Sequence, residues 1–253
     1  MSTDALAMLL RSFTLSTMAT LYPEILASAE EHNWGYRKFL TQLCEAEAAE
    51  RKERKRNRLL KKSGLPAGKT FGTLDEAKLP VKIRRLLPTL LDGGWVERAE
   101  NLIAFGLPGR GKTHFLAALG RELILRHEHT VYFTSTYKLV QQLLAAKQAL
   151  RLEALLKKLD RYSVVALDDL GYVQQSREEM EVLFTFLAER YERGSVMISS
   201  NLVFSKWDQI FKDPMTTMAA VDRLVHHAVI LEFDNGSVRA EEAKGKSPPK
   251  SSA

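Results

Sequence analysis

Residues 106–113 read Gly-Leu-Pro-Gly-Arg-Gly-Lys-Thr, a complete G-x-x-x-x-G-K-[ST] pattern. Each residue type answers a need of phosphate binding. Gly106, Gly109 and Gly111 let the backbone turn its N–H groups inward around oxyanions, with Pro108 and Arg110 filling the positions between them. Lys112 offers a positive charge to the β- and γ-phosphates, and Thr113 offers a hydroxyl to Mg²⁺. The apolar run Leu102-Ile103-Ala104-Phe105 precedes the pattern and a helix-like stretch from His114 follows it, the strand-before and helix-after context that the motif requires. Gly106 and Pro108 through His114 are therefore the expected nucleotide-contacting residues, with ATP and Mg²⁺ as the expected cofactors.

A second group of side chains suits the same chemistry. Asp168 and Asp169 follow the apolar run Val164-Val165-Ala166-Leu167. A carboxylate there suits Mg²⁺ opposite a phosphate loop, which makes Asp168 the metal-side residue together with Thr113. Asp169 would face the γ-phosphate, where it orients or deprotonates the attacking water. Asn201 closes Ser199-Ser200-Asn201 at the end of a further strand, and its amide is a sensor candidate beside the second carboxylate. Arg223 reaches a nucleotide only if neighbouring subunits share the site; an arginine supplied in trans stabilises transition-state charge. Lys112, Asp168, Asp169, Asn201 and Arg223 are the expected catalytic set. No Cys/His/carboxylate spacing points to zinc, and the adjacent His226 and His227 diverge on a helix.

These residues need elements to position them. Asn101–Phe105, Thr130–Thr134, Val164–Leu167, Ser195–Ser199 and Ala228–Phe233 read as strands separated by helical stretches, which predicts a five-stranded parallel sheet flanked by helices, an α/β fold. Continuous hydrophobicity in 164–167 fits a central strand covered on both faces. In such sheets ligands bind at the carboxyl ends of the strands, where all the polar groups named above fall.

Residues 1–66 differ in character. Leu6, Leu9, Leu10 and Phe13 make a small apolar helical stripe, Tyr22-Pro23 marks a boundary, and a helical pattern from Tyr36 carries Phe39, Leu40, Leu43, Cys44 and Glu47. The pattern then runs into a basic segment, in which Arg51, Lys52, Arg54, Lys55, Arg56, Arg58, Lys61 and Lys62 face Glu53 alone. Arg51, Lys55, Arg58 and Lys62 share one helical face over about 16 Å, a stripe able to track phosphates. A solvated charged face normally interleaves both signs, and this one does not. Arg51, Arg54, Lys55, Arg58, Lys61 and Lys62 are the expected DNA-contacting residues. Three glycines and a proline in 64–72 place the boundary between a helical domain, 1–66, and an ATPase domain, 67–235, and the composition of 236–253 predicts a disordered tail.

Composition bounds the remaining possibilities. The chain has 253 residues and a net charge of +6, concentrated in the basic segment. Cys44 is its single cysteine, so no internal disulfide forms, and its expected role is that of a small buried apolar group. No run is long and apolar enough to span a membrane, and the N-terminus lacks a signal-peptide pattern, so a cytoplasmic protein is expected.

The combination resembles the AAA+ ATPases, and within them the IstB-type transposition helper ATPases and their relatives, the bacterial helicase loaders. The likeness rests on Gly106–Thr113 with His114, on 167–173, on 187–193, on Ser200-Asn201-Leu202-Val203-Phe204-Ser205-Lys206-Trp207 and on Asp222-Arg223-Leu224-Val225-His226-His227, and extends over 35–234. It implies Lys112 and Thr113 as Walker A, Asp168 and Asp169 as Walker B, Asn201 as sensor 1 and Arg223 as the trans-acting arginine. It further implies an ATP-dependent homo-oligomer on duplex DNA that helps select the target and recruits or stimulates a transposase, with Lys147 and Arg151 as further DNA-facing residues. The chain departs from the pattern in three ways. Asp169 stands where most AAA+ proteins carry Glu, Arg110 occupies a position more often small or hydroxylated, and the residues after the last strand leave no room for a helical lid.

Three other readings compete. A helicase loader shares the ATPase core but engages a helicase and single strands, and the basic segment has no aromatic stacking surface. A small-molecule P-loop kinase needs an acceptor pocket and leaves Asn201 and Arg223 unexplained. A structural DNA-binding protein would hold nucleotide without turnover.

Overall fold

The computed structural model describes residues 3–171, 176–202, 224–234 and 236. Two compact units divide the chain, 1–58 and 59–253. The expected boundary at 66/67 is therefore displaced toward the N-terminus, because Leu59, Leu60, Leu65 and Phe71 all pack against the core of the second unit.

The first unit is helical: α1 (Thr3–Ser12), α2 (Ser16–Glu31) and the greater part of α3 (Tyr36–Ser63). Pro23 does not mark a boundary. It lies inside α2, where its missing N–H forgoes one helical bond, and the buried Ala19, Tyr22 and Ala29 on either side keep the helix continuous. The break falls instead at Thr14, which takes a left-handed φ of 60°. Of the expected apolar stripe, Leu6, Leu9 and Phe13 are exposed and Leu10 is half-buried. Cys44 is exposed, contrary to the role expected for it, because α3 turns Leu43 and Glu47 inward and Cys44 outward.

Glu47 organises this unit. The residue is 3% exposed, and its carboxylate accepts from the backbone N–H groups of Thr17 and Met18, at 2.8 and 3.1 Å, so it caps the open first turn of α2. Arg51 closes on it at 2.8 Å and also donates to the Thr14 carbonyl. Arg54 lies 3.6 Å from the same carboxylate and donates to the hydroxyls of Ser16 and Thr17. Burial pushes the Glu47 carboxyl up, but the Met18 N–H, the Arg51 guanidinium and the Thr17 N–H outweigh it and hold it below its ordinary value.

Among the described residues the second unit has five strands: β1 (Asn101–Phe105), β2 (Val131–Ser135), β3 (Val164–Leu170), β4 (Ser195–Ser200) and β5 (Ala228–Glu232). All described pairings are parallel, in the order β2-β3-β4-β1-β5. The helices include α4 (Val81–Asp92), α5 (Gly94–Glu97), α6 (Lys112–His127), α7 (Thr136–Gln148), α8 (Leu152–Leu159) and α9 (Arg177–Arg190). Strand periodicity divides the core into two layers. Leu102, Ala104, Val164, Ala166 and Met197 face Phe115, Leu116 and Leu119 of α6, whereas Ile103, Val165, Leu167, Val196 and Ile198 face Leu139 and Leu143 of α7 and Leu183 of α9. Both faces of the sheet are covered, which is why 164–167 reads as an uninterrupted apolar run.

Two expected strand ends shift in a way that bears on the site. β2 runs one residue later than expected, and β3 extends past Leu167 through Asp168 and Asp169 to Leu170. The two carboxylates thus belong to the strand and not to a turn after it. No helix among the described residues is long and apolar enough to cross a membrane. The tail, 236–253, lies outside the described residues apart from Gly236.

Candidate nucleotide-binding site

The phosphate loop leaves β1 and enters α6. Gly106, Gly109 and Gly111 take positive φ values of 147°, 81° and 92°. At Gly106 the constraint is also steric, since a Cβ would collide with the Phe233 carbonyl oxygen. The loop sits against the exit of β5, and Arg110 reinforces the contact by donating to that same carbonyl at 2.8 Å. This gives Arg110 a placement that its position in the sequence motif does not suggest. The first turn of α6 opens at Lys112 directly behind Gly111, so its N–H groups face the loop, as an anion site requires.

Lys112 is 5% exposed. Its ammonium donates to the carbonyls of Gly106 and Leu107, at 2.6 and 3.0 Å, and to Asn201 Oδ1 at 2.8 Å. Asn201 in turn donates through Nδ2 to Asp169 Oδ1 at 2.7 Å. The phosphate loop after β1, the end of β3 and the end of β4 are thereby joined through side chains at the carboxyl edge of the sheet, and three of the expected catalytic residues meet.

Asp168 is held separately. Its Oδ1 accepts from Ser199 Oγ at 2.6 Å, and its carbonyl accepts from the hydroxyl of the buried Thr136 at 3.1 Å. The β3–β4 register explains how neighbouring carboxylates both reach the end of β4. Leu167 pairs with Ile198 and Leu170 with Ser200, so Asp168 and Asp169 together oppose Ser199 alone. This is a β-bulge, and Asp169 within it has a left-handed φ of 66°. In a regular strand the two side chains would point to opposite faces. Here they contact Ser199 and Asn201, two residues apart at the same strand end.

The fit to ATP and Mg²⁺ follows from this donor set. Positive φ at Gly106, Gly109 and Gly111, a helix N-terminus behind them and a buried ammonium suit a polyphosphate. The Thr113 hydroxyl and Asp168 carboxylate are hard oxygen ligands of the kind Mg²⁺ accepts. His114 is turned elsewhere: Nε2 lies 3.0 Å from the Thr70 carbonyl and 3.1 Å from Thr73 Oγ1, docking the turn at 70–73 onto the start of α6. Arg223 lies outside the described residues. Of the residues expected at DNA, Arg51 and Arg54 are engaged by Glu47 and α2, and Lys147 pairs with Glu181 at 2.9 Å. Arg58, Lys61, Lys62 and Arg151 are exposed.

Comparison with known proteins agrees with this geometry. The model of the IstB-like ATP binding protein family matches residues 8–246. An insertion-sequence ATP-binding protein of Sinorhizobium fredii is 39% identical over 94% of this chain and 80% of its own length. The insertion sequence IS5376 ATP-binding protein of Geobacillus stearothermophilus is 35% identical over 91% of each. Among solved structures, the DnaC helicase loader superposes with a TM-score of 0.54 at 20% identity, over 66% of this chain and 98% of its own. AMPPCP-bound DnaA from Aquifex aeolicus does so with a TM-score of 0.54 at 17% identity, over 73% and 56%. These structural likenesses show a shared α/β fold. Taken with the phosphate loop and its partners, the sequence matches show that the chain belongs to the IstB-like ATP-binding protein family, the ATP-binding proteins of insertion sequences.

Proposed function

We propose that the protein hydrolyses Mg²⁺-ATP and, as an ATP-dependent homo-oligomer on duplex DNA, assists transposition by selecting or remodelling target DNA and recruiting or stimulating a transposase. The observation that carries the hydrolytic reading is the Lys112–Asn201–Asp169 chain, which links the phosphate-binding charge to a carboxylate able to act on water. The relatives' association with insertion sequences supports the transposition reading.

In this reading Lys112 and the loop N–H groups bind the β- and γ-phosphates, and Thr113 and Asp168 hold the metal. Mg²⁺, when bound, neutralises charge on the phosphate oxygens. Asp169 orients the attacking water and accepts its proton, Asn201 fixes Asp169 relative to Lys112, and Arg223 of a neighbouring subunit answers transition-state charge. The expected DNA-facing residues are Lys55, Arg58, Lys61, Lys62 and Arg151, with Arg51, Arg54 and Lys147 contributing whatever their internal contacts leave to phosphate.

The test is the mass of the protein with duplex DNA, by light scattering at two salt concentrations, without nucleotide, with ADP and with a non-hydrolysable ATP analogue. Salt-sensitive growth into a large DNA-bound oligomer with the analogue alone is the expected result. A monomer indifferent to DNA and nucleotide would overturn the shared-site reading and favour a small-molecule phosphoryl acceptor.

A further inference from the structure

Ser199 is 2% exposed, and both bonding directions of its hydroxyl are committed. Oγ donates to Asp168 Oδ1 at 2.6 Å and accepts from the backbone N–H of Asp169 at 2.8 Å. The second bond is unusual for a strand, in which an N–H ordinarily goes to a carbonyl of the neighbouring strand. At this bulge a side-chain oxygen takes the place of the ladder acceptor. The first bond has the length of a charge-assisted O–H···O⁻ contact, and it engages one oxygen of Asp168 while leaving the other for a cation.

We propose that Ser199 is a positioning residue of the nucleotide site: through one hydroxyl it fixes the metal-side carboxylate of Asp168 and pins Asp169 in the left-handed conformation that aims its side chain at Asn201. The proposal rests on the ATPase reading above and deepens it. The physical logic is one of competing conformations. A left-handed aspartate is disfavoured relative to ordinary strand backbone, so a specific partner must hold it there. Ser199 is the single residue opposite the bulge, and its Oγ meets both aspartates. The flanking contacts lock the frame on either side: Ser200 Oγ donates to the Leu170 carbonyl at 2.9 Å, and Thr136 Oγ1 holds the Asp168 carbonyl. Neither flanking contact reaches an aspartate carboxylate. Removing the Ser199 hydroxyl therefore takes away the donor to the Asp168 carboxylate and the acceptor of the Asp169 N–H while leaving the flanking contacts in place.

The experiment compares the full-length wild type with Ser199→Ala and Ser199→Thr. Four quantities are measured: steady-state ATP turnover on duplex DNA, Mn²⁺ affinity in the presence of ADP by electron paramagnetic resonance, affinity for a fluorescent ATP analogue in EDTA, and thermal midpoint. For Ser199→Ala the expected result is a roughly 10- to 100-fold loss in turnover and in Mn²⁺ affinity, with metal-free nucleotide affinity and thermal midpoint near wild type. Recovery of turnover and Mn²⁺ affinity in Ser199→Thr is expected, since threonine restores the hydroxyl. Unchanged Mn²⁺ affinity and turnover in the alanine variant would overturn the proposal. Parallel loss of metal-free nucleotide affinity and thermal midpoint would overturn it too, reducing Ser199 to a packing role. A wild type without turnover would overturn the ATPase reading instead, and Mn²⁺ affinity alone would then decide the role of Ser199.

Discussion

Asn201 stands between Lys112 and Asp169 with its amide orientation chemically determined: the oxygen must face the ammonium, which can only donate, and the nitrogen must face the carboxylate, which can only accept. The residue therefore acts as a neutral coupler between opposite charges. Asn201→Ala should bind the fluorescent ATP analogue within a few-fold of wild type and lose turnover by about 10- to 100-fold, the scale of a removed orienting partner. Asn201→Asp should fare worse, because it sets a carboxylate against Asp169. Stopped-flow binding and steady-state phosphate release separate the two effects. Turnover at the wild-type rate in Asn201→Ala would remove the coupling role.

Lys112→Ala should abolish nucleotide binding and, with it, DNA-dependent assembly. The buried ammonium also satisfies the carbonyls of Gly106 and Leu107, so this variant loses an internal tie as well as a ligand charge. A melting curve must accompany the binding titration. A folded Lys112→Ala that binds ATP normally would contradict the placement of the phosphates at this loop.

The left-handed backbone at Asp169 sets function against stability. Glycine adopts this conformation without penalty and alanine does not, so Asp169→Gly should be more stable than Asp169→Ala by about 1 kcal/mol in urea unfolding. Both should lack turnover. Equal stability of the two variants would show that the conformation relaxes once the carboxylate is gone.

Glu47 supplies a pH-dependent prediction remote from the nucleotide. Its folded pKa lies below the ordinary 4.5, so its contribution is fully present above that value and is lost as pH falls through the lower folded value. Glu47→Gln should cost about 1–2 kcal/mol at pH 7, since it weakens the cap on α2 and removes the charge that faces Arg51. The difference from wild type in thermal or urea unfolding of the full chain should shrink as pH is lowered below 4.5. A gap independent of pH would mean that packing, not charge, ties Glu47 to α2.

Much of this architecture can be read in the sequence where local chemistry and local structure coincide. The phosphate loop is contiguous, and the apolar runs at 101–105 and 164–167 announce buried parallel strands because both faces of the sheet are covered. What the sequence hides depends on pairing across strands or helices. The bulge at Asp168–Asp169 exists only in the register between β3 and β4, so nothing in the order of residues reveals that Ser199 serves both aspartates. Pro23 misleads because packing of Tyr22 and its neighbours outweighs one missing helical bond. Arg51 looks like a member of a phosphate-tracking stripe, and Arg54 like a further DNA contact, because helical spacing sets their partner, Glu47, among the residues of a core face.

That last distinction divides the basic segment into two experimentally separable sets. Arg51 and Arg54 tie α3 to the start of α2, so their replacement should lower the thermal midpoint and confound any DNA-binding measurement. Arg58, Lys61 and Lys62 are exposed and lie at i, i+3 and i+4 on α3, close enough to share one face. Their joint replacement by Gln should leave the thermal midpoint within a degree or two of wild type and weaken duplex binding. For every DNA phosphate that the variant no longer neutralises, the slope of log affinity against log salt should fall by about 0.9. Fluorescence anisotropy on a labelled duplex between roughly 50 and 200 mM salt, the range over which phosphate neutralisation changes affinity most visibly, measures that slope. An unchanged slope would return the segment to a solvated charged face and shift the search for the DNA-binding surface to the rest of the second unit, where Arg151 is exposed and Lys147 is paired with Glu181.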